Sequence, residues 1–225
     1  MPPSNTASGP HAGQPVLAWG EPLGKAPVVI IMIHGRGAGP ENILELAPAL
    51  GHPNATYLAP RAASNTWYPY SFMTEIAKNE PFLSSALSVL RSLVSDIESA
   101  GIRRDRIVML GFSQGACLTT EFAIRNASRF GGLVAFSGGA IGPEGTTWAT
   151  EDTDTANPFA DTPFFFGCSN VDPHIPEVRV RESAEIAARM GAKVTTRIYP
   201  GMGHVVNDDE IAHAQAILET LRNAS

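Results

Sequence analysis

Short, continuously apolar runs alternate along the chain with longer stretches in which apolar residues return every three or four positions. Val194 to Tyr199 reads as a strand, and Val28-Val29-Ile30-Ile31-Met32-Ile33, Ile107 to Leu110, Gly132 to Phe136 and Phe164-Phe165-Phe166 are runs of the first kind. Runs this short, rich in β-branched and aromatic residues and without polar alternation, predict strands buried on both faces, as in a parallel sheet. Thr56 to Ala59, stopped by Pro60, predicts a further short strand, and Val16 to Trp19 an edge strand.

The helical spacing lies between them. Phe82, Leu83, Ala86, Leu87, Leu90, Leu93, Val94 and Ile97 form one apolar stripe, with Pro81 at its start and Gly101 at its stop. Asn42 to Leu50, Gln114 to Asn126, Glu177 to Met190 and Asp208 to Leu221 predict further helices. Strand and helix therefore alternate, mostly with short connections. That order predicts a single α/β domain with a mainly parallel central sheet and helices on both faces. There is no internal repeat and little room for a large cap domain. Residues 1–14, rich in Pro, Ser, Gly and Ala, predict a loosely attached leader, leaving 15–225 as the domain.

Composition narrows the class. The 225 residues are 44 % hydrophobic and 17 % charged, which suits a globular core. Net charge is −6 and no Lys/Arg cluster occurs, which argues against nucleic acid as a partner. No apolar run approaches the roughly 20 residues of a membrane span, and the N-terminus lacks the basic start and apolar core of a secretory signal. The two cysteines, Cys117 and Cys168, read as small core residues with free thiols, consistent with a cytoplasmic protein.

The chemistry is concentrated at Leu110-Gly111-Phe112-Ser113-Gln114-Gly115. This is G-x-S-x-G between a predicted strand and a predicted helix, the form of a nucleophile elbow. A chain this long yields the bare pattern by chance roughly 0.1 times, so its flanks and partners decide its weight. In a parallel sheet, functional residues gather at the C-terminal ends of strands. Asp172 follows the Phe164 strand and His204 follows the Val194 strand, in the order Ser, Asp, His of α/β-hydrolases. His204 suits the general base and Asp172 its orienting carboxylate. The backbone N–H groups of Gln114 and of Arg36, in the glycine-rich loop His34 to Gly39, suit an oxyanion hole.

Other residues compete for these roles less well. His34 follows a strand, but its loop is built for backbone donation. His11, His52 and His213 lack any strand-end context and read as surface residues. His174 is expected at the site rim. Asp154 and Asp161 are rival acids without placement directly after a strand. The loop 61–80 carries Trp67, Tyr68, Tyr70 and Phe72, followed by Met73. It reads equally as a flap packed on the body or as the apolar wall of a pocket. No cluster has metal-ligand spacing, and neither a P-loop nor a dinucleotide motif occurs.

His34-Gly35-Arg36-Gly37, the elbow, Asp172-Pro173-His174-Ile175-Pro176 and Tyr199-Pro200-Gly201-Met202-Gly203-His204 together resemble the phospholipase/carboxylesterase family, from about Val28 to the C-terminus. That resemblance implies an α/β-hydrolase fold without a large cap, a Ser113–His204–Asp172 triad, oxyanion donors at Gln114 and Arg36, and no cofactor. It also places Trp67 in the loop beside the pocket. Arg36-Gly37-Ala38 and Ala116 are more similar to the bacterial carboxylesterase branch than to acyl-protein thioesterases. The expected activity is hydrolysis of small short-to-medium acyl esters through an acyl-enzyme. Lysophospholipase or thioesterase activity is the alternative, and a catalytically silent binding protein the outsider. The expected pocket residues are Trp67, Tyr68, Phe72, Met73 and His174. The expected partner is a small-molecule ester, and an apolar patch by the aromatic loop would suit a homodimer.

Overall fold

The computed structural model describes residues 8–148 and 157–222. Among these, the apolar runs form a seven-stranded sheet in the order β1-β3-β2-β4-β5-β6-β7. The strands are β1 (Val16–Gly20), β2 (Val28–Ile33), β3 (Ala55–Pro60), β4 (Ile107–Phe112), β5 (Gly132–Phe136), β6 (Pro163–Ser169) and β7 (Lys193–Tyr199). Every neighbouring pair is parallel except β1 with β3. β2, β3 and β5 are buried at every position, whereas β7, at one edge, alternates between exposed and half-buried residues.

Strand alternation divides the core into two layers. Val29, Ile31, Ile33, Met109, Leu133 and Ala135 face one side, where they meet α3 (Phe82–Ser99), α4 (Gln114–Arg125) and α5 (Glu177–Arg189). Val28, Ile30, Met32, Val108, Leu110 and Val134 face the other, under α1 (Pro40–Leu44), α2 (Ala47–Leu50) and α6 (Asp208–Arg222). This is the predicted α/β-hydrolase architecture, with β2, β4, β6 and β7 all ending toward one rim. The single helix expected over 42–50 is instead two short ones. Pro48 has no N–H to return to the Leu44 carbonyl, so the helix stops and restarts.

Two expectations fail at histidines. His11 and His52 are buried rather than on the surface. His11 accepts the Ala63 N–H at Nδ1 (3.0 Å) and donates from Nε2 to the Trp67 carbonyl (2.9 Å). Ser8 and His11 are further tied to the Ser85 hydroxyl of α3. The described part of the segment 1–14 is therefore pinned to the body at His11, an imidazole with both nitrogens used, while Ser8, Gly9, Ala12 and Gly13 around it stay exposed. Residues 1–7 lie outside the described residues. His213 is half-buried, stacked on Phe165 at a centroid distance of 4.5 Å.

Helix α6 opens with a reciprocal cap. Asn207 Oδ1 accepts the Glu210 N–H, and Glu210 Oε2 accepts the Asn207 N–H, both at 2.9 Å. Glu210 is fully buried and its Oε1 has no partner. Burial pushes its carboxyl up to about 7, against a hydrogen bond from Asn207 that pulls the other way. A carboxyl raised on folding stabilises the protein below its unfolded value and loses that contribution as pH rises through the folded one. Glu210→Gln should therefore gain stability over the parent between pH 5 and pH 8, by up to about 3 kcal/mol. Thermal melts of both proteins across that range measure the difference. A difference that does not change with pH contradicts it.

Candidate active site

Strand β4 turns into α4 at Ser113, whose backbone is held at φ 55° and ψ −120°. A non-glycine residue adopts that region only when its surroundings force it. Here the forcing is a close crossing of backbones. A Cβ on Gly111 would lie 2.3 Å from the Gly115 carbonyl oxygen, and one on Gly115 would lie 2.1 Å from that of Ile33. The two glycines let the first turn of α4 sit directly against the ends of β2 and β4. The Ser113 N–H is bound by the Phe136 carbonyl at 2.9 Å.

Ser113, Asp172 and His204, placed 91 and 32 residues apart along the chain, meet at this rim. His204 Nε2 lies 2.8 Å from Ser113 Oγ, and His204 Nδ1 lies 2.7 Å from Asp172 Oδ2. Asp172 Oδ1 accepts the N–H groups of His174 (2.8 Å) and Ile175 (3.0 Å). Burial raises the Asp172 carboxyl, but the hydrogen bonds from His204 and these two amides outweigh it and hold it below its ordinary value. A carboxylate at Nδ1 fixes the proton there and leaves Nε2 to accept the Ser113 hydroxyl hydrogen. The Phe112 ring lies beside the imidazole at 4.9 Å.

The rivals are placed elsewhere. His34 is buried, donates from Nδ1 to the Gly35 carbonyl (2.8 Å) and accepts the Ala62 N–H at Nε2 (3.1 Å). Burial lowers its pKa, so it is a neutral strut of the loop after β2. Asp161 is exposed and precedes β6, at the opposite end from Asp172. Asp154 lies outside the described residues.

A pocket of about 470 Å³ opens beside Ser113. Tyr68, Phe72 and His174 line it as expected, joined by Phe112, Cys117 and Ile175. Trp67 and Met73 do not. Trp67 is fully buried beneath the wall, with its indole N–H on the His34 carbonyl at 2.9 Å, and Met73 packs against the core. Arg36 and Gln114 both border the pocket. Gln114 opens α4, so its N–H has no partner within the helix. Gly35 brings the Arg36 loop against the nucleophile; a Cβ there would lie 3.4 Å from Ser113 Cβ. Among the described residues, no group of His, Cys, Asp and Glu could hold a metal ion.

The sequence model of the phospholipase/carboxylesterase family matches residues 20–222. The chain belongs to that family. A phospholipase/carboxylesterase from Dyadobacter fermentans, known by crystal structure, is 40 % identical, with a TM-score of 0.86 over 91 % of this chain and 96 % of its own. Acyl-protein thioesterase 1 of Debaryomyces hansenii is 27 % identical over 213 residues, 84 % of this chain and 89 % of its own length. Acyl-protein thioesterase 1 of Gibberella zeae is 29 % identical over 127 residues, and that match spans 53 % of its length. The protein is thus a serine hydrolase of the carboxylesterase and acyl-protein thioesterase type. Among the described residues no helix is long and apolar enough to cross a membrane.

Two outcomes follow. Gly115→Ala should cost more than about 2 kcal/mol, because its new methyl meets the backbone of β2 and no flexible side chain; a chemical melt within 0.5 kcal/mol (roughly the scale of surface changes) of the parent would contradict this. Burial pushes the thiols of both Cys117 and Cys168 up to about 12. Iodoacetamide at mildly alkaline pH should leave the folded protein unlabelled and modify both thiols after denaturation, as read by mass spectrometry.

Proposed function

We propose that this family member is a serine carboxylesterase that hydrolyses small esters of short-to-medium acyl chains through an acyl-enzyme. The observation that carries the reading is the run of two short contacts, Ser113 Oγ to His204 Nε2 at 2.8 Å and His204 Nδ1 to Asp172 Oδ2 at 2.7 Å, at the mouth of an aromatic-walled pocket. His204 takes the Ser113 proton as Oγ attacks the ester carbonyl, and the imidazolium that forms faces the Asp172 carboxylate. The oxyanion receives the backbone N–H groups of Gln114 and Arg36, with the positive end of α4 behind them. His204 then protonates the leaving alcohol. A water molecule, activated by the same imidazole, hydrolyses the acyl-enzyme and returns the proton to Ser113. None of these steps calls on a cofactor.

The alcohol side faces the open rim at His174, which is exposed, while the acyl side faces Tyr68, Phe72 and Ile175. Thioesters pass through the same steps, and the acyl-protein thioesterases among the relatives favour that second reading. The aromatic wall and the lack of a large cap among the described residues favour a short-to-medium acyl group, which the pocket of about 470 Å³ accommodates. We assign the working partner as a small-molecule ester in the cytoplasm.

A series of p-nitrophenyl esters from acetate to laurate tests this. Turnover should peak at the short-to-medium end and fall toward laurate. Ser113→Ala should lose at least about 10⁴-fold in kcat, and Asp172→Asn a comparable amount. Turnover that rises steadily to laurate, or to long-chain thioesters, moves the assignment to the second reading. Turnover unaffected by Ser113→Ala overturns both.

A further inference from the structure

The wall of the pocket is the segment 68–72, and its peptide groups, with that of Trp67 beneath it, are held one after another from other parts of the chain. Gln114 Oε1 accepts the Trp67 N–H and Gln114 Nε2 donates to the Tyr68 carbonyl, both at 2.8 Å. Arg36 donates from Nη1 to the Pro69 carbonyl and from Nη2 to the Tyr70 carbonyl, again both at 2.8 Å, and its guanidinium lies 5.9 Å from the Tyr68 ring centre. From the other side, the buried Asn79 accepts the Tyr70 N–H (2.9 Å) and donates to the Ser71 carbonyl (3.0 Å). The Phe72 carbonyl accepts the Gly142 N–H at 2.8 Å.

Two of these clamps are the residues assigned above as oxyanion donors. We propose that the side chains of Arg36 and Gln114 are positioning residues, which lock the acyl-pocket wall to the two backbone donors so that one rigid assembly sets both turnover and the acyl-length limit. This rests on the reading of the pocket as an acyl site.

The physical argument is one of shared constraint. A planar guanidinium bridging two consecutive carbonyls fixes its own stem as firmly as it fixes the loop, because the fork leaves little rotational slack. The Arg36 peptide is thereby held in place from outside the glycine loop, where Gly37 at φ 75° gives the backbone little stiffness of its own. Gln114 is fixed in the same way, with its amide used at both ends and only 5 % of its surface exposed. A displacement of the wall by a long acyl chain would therefore drag both donors from the oxyanion. Long chains are penalised in turnover as well as in binding, because such donors act only over a narrow range of positions.

The test compares the parent with Arg36→Ala, Arg36→Lys and Asn79→Ala, reading kcat and KM on p-nitrophenyl acetate and octanoate. Both esters are neutral, so loss of the Arg36 charge does not itself alter attraction. Arg36→Ala should lower kcat on acetate by about 10- to 100-fold and raise the octanoate-to-acetate ratio of kcat/KM several-fold. Added guanidinium ion should restore part of the acetate kcat and bring the ratio back. Arg36→Lys should fall between, since one ammonium does not span both carbonyls. Asn79→Ala, which loosens the wall without touching a donor, should raise the ratio with a smaller loss of kcat than Arg36→Ala.

An Arg36→Ala protein that keeps the parental ratio overturns the coupling, whether or not its kcat falls. If that variant does not fold, the same ratio in Arg36→Lys and Asn79→Ala decides, and parental values in both overturn the proposal. A parent protein that neither turns over these esters nor is labelled at Ser113 by a fluorophosphonate would instead overturn the esterase reading beneath it.

Discussion

Three backbones cross within van der Waals reach at the start of α4, and no side chain fits between them. The Gly111 and Gly115 positions, each with a carbonyl oxygen where a Cβ would go, allow the helix to press on the ends of β2 and β4. That contact twists Ser113 into its left-handed backbone and points Oγ away from the sheet. It also aims the open N-terminus of α4 at the same spot and sets the glycine loop after β2 alongside. The reaching distances of His204 and Asp172 follow from where β6 and β7 end relative to this crossing.

Much of this was legible from residue order. Short apolar runs without alternation identify doubly buried strands whatever their partners, and a histidine or aspartate just past a strand of a parallel sheet is placed at the rim by topology alone. Asp172 could therefore be separated from Asp161, which lies at the wrong end of its strand, whereas His34 also follows a strand and is set aside only by its glycine-rich loop, built for backbone donation. Boundaries suffered only where a local rule intervened, as at Pro48 in the helix expected over 42–50.

What could not be read was side-chain to backbone bonding across long separations. His11 looks like a surface residue in a Pro/Gly/Ser-rich stretch, yet both its nitrogens are used by residues more than fifty positions away. Trp67 reads as a pocket aromatic, yet it lies beneath the wall because its indole N–H serves the His34 carbonyl. Arg36 and Gln114 were chosen for their backbones, and nothing in the pattern announces what their side chains hold. Such bonds have no period along the chain, since they depend on which loops tertiary folding brings together. Only the excess of aromatics over 61–80 hinted that the segment was unusual.

The pocket wall over 68–72 bears on how this scaffold diversifies. Its anchors from outside sit in the leader at His11, the loop after β2 at His34 and Arg36, the elbow at Gln114 and the post-β5 connection at Gly142, while Asn79 lies within the loop itself. A transplanted 61–80 segment would leave most of the bonds that hold its wall behind and arrive in a host shaped for another. The segment is thus not an exchangeable cassette. Altered selectivity on this scaffold is more accessible through the side chains that project from this loop backbone than through loops of new length.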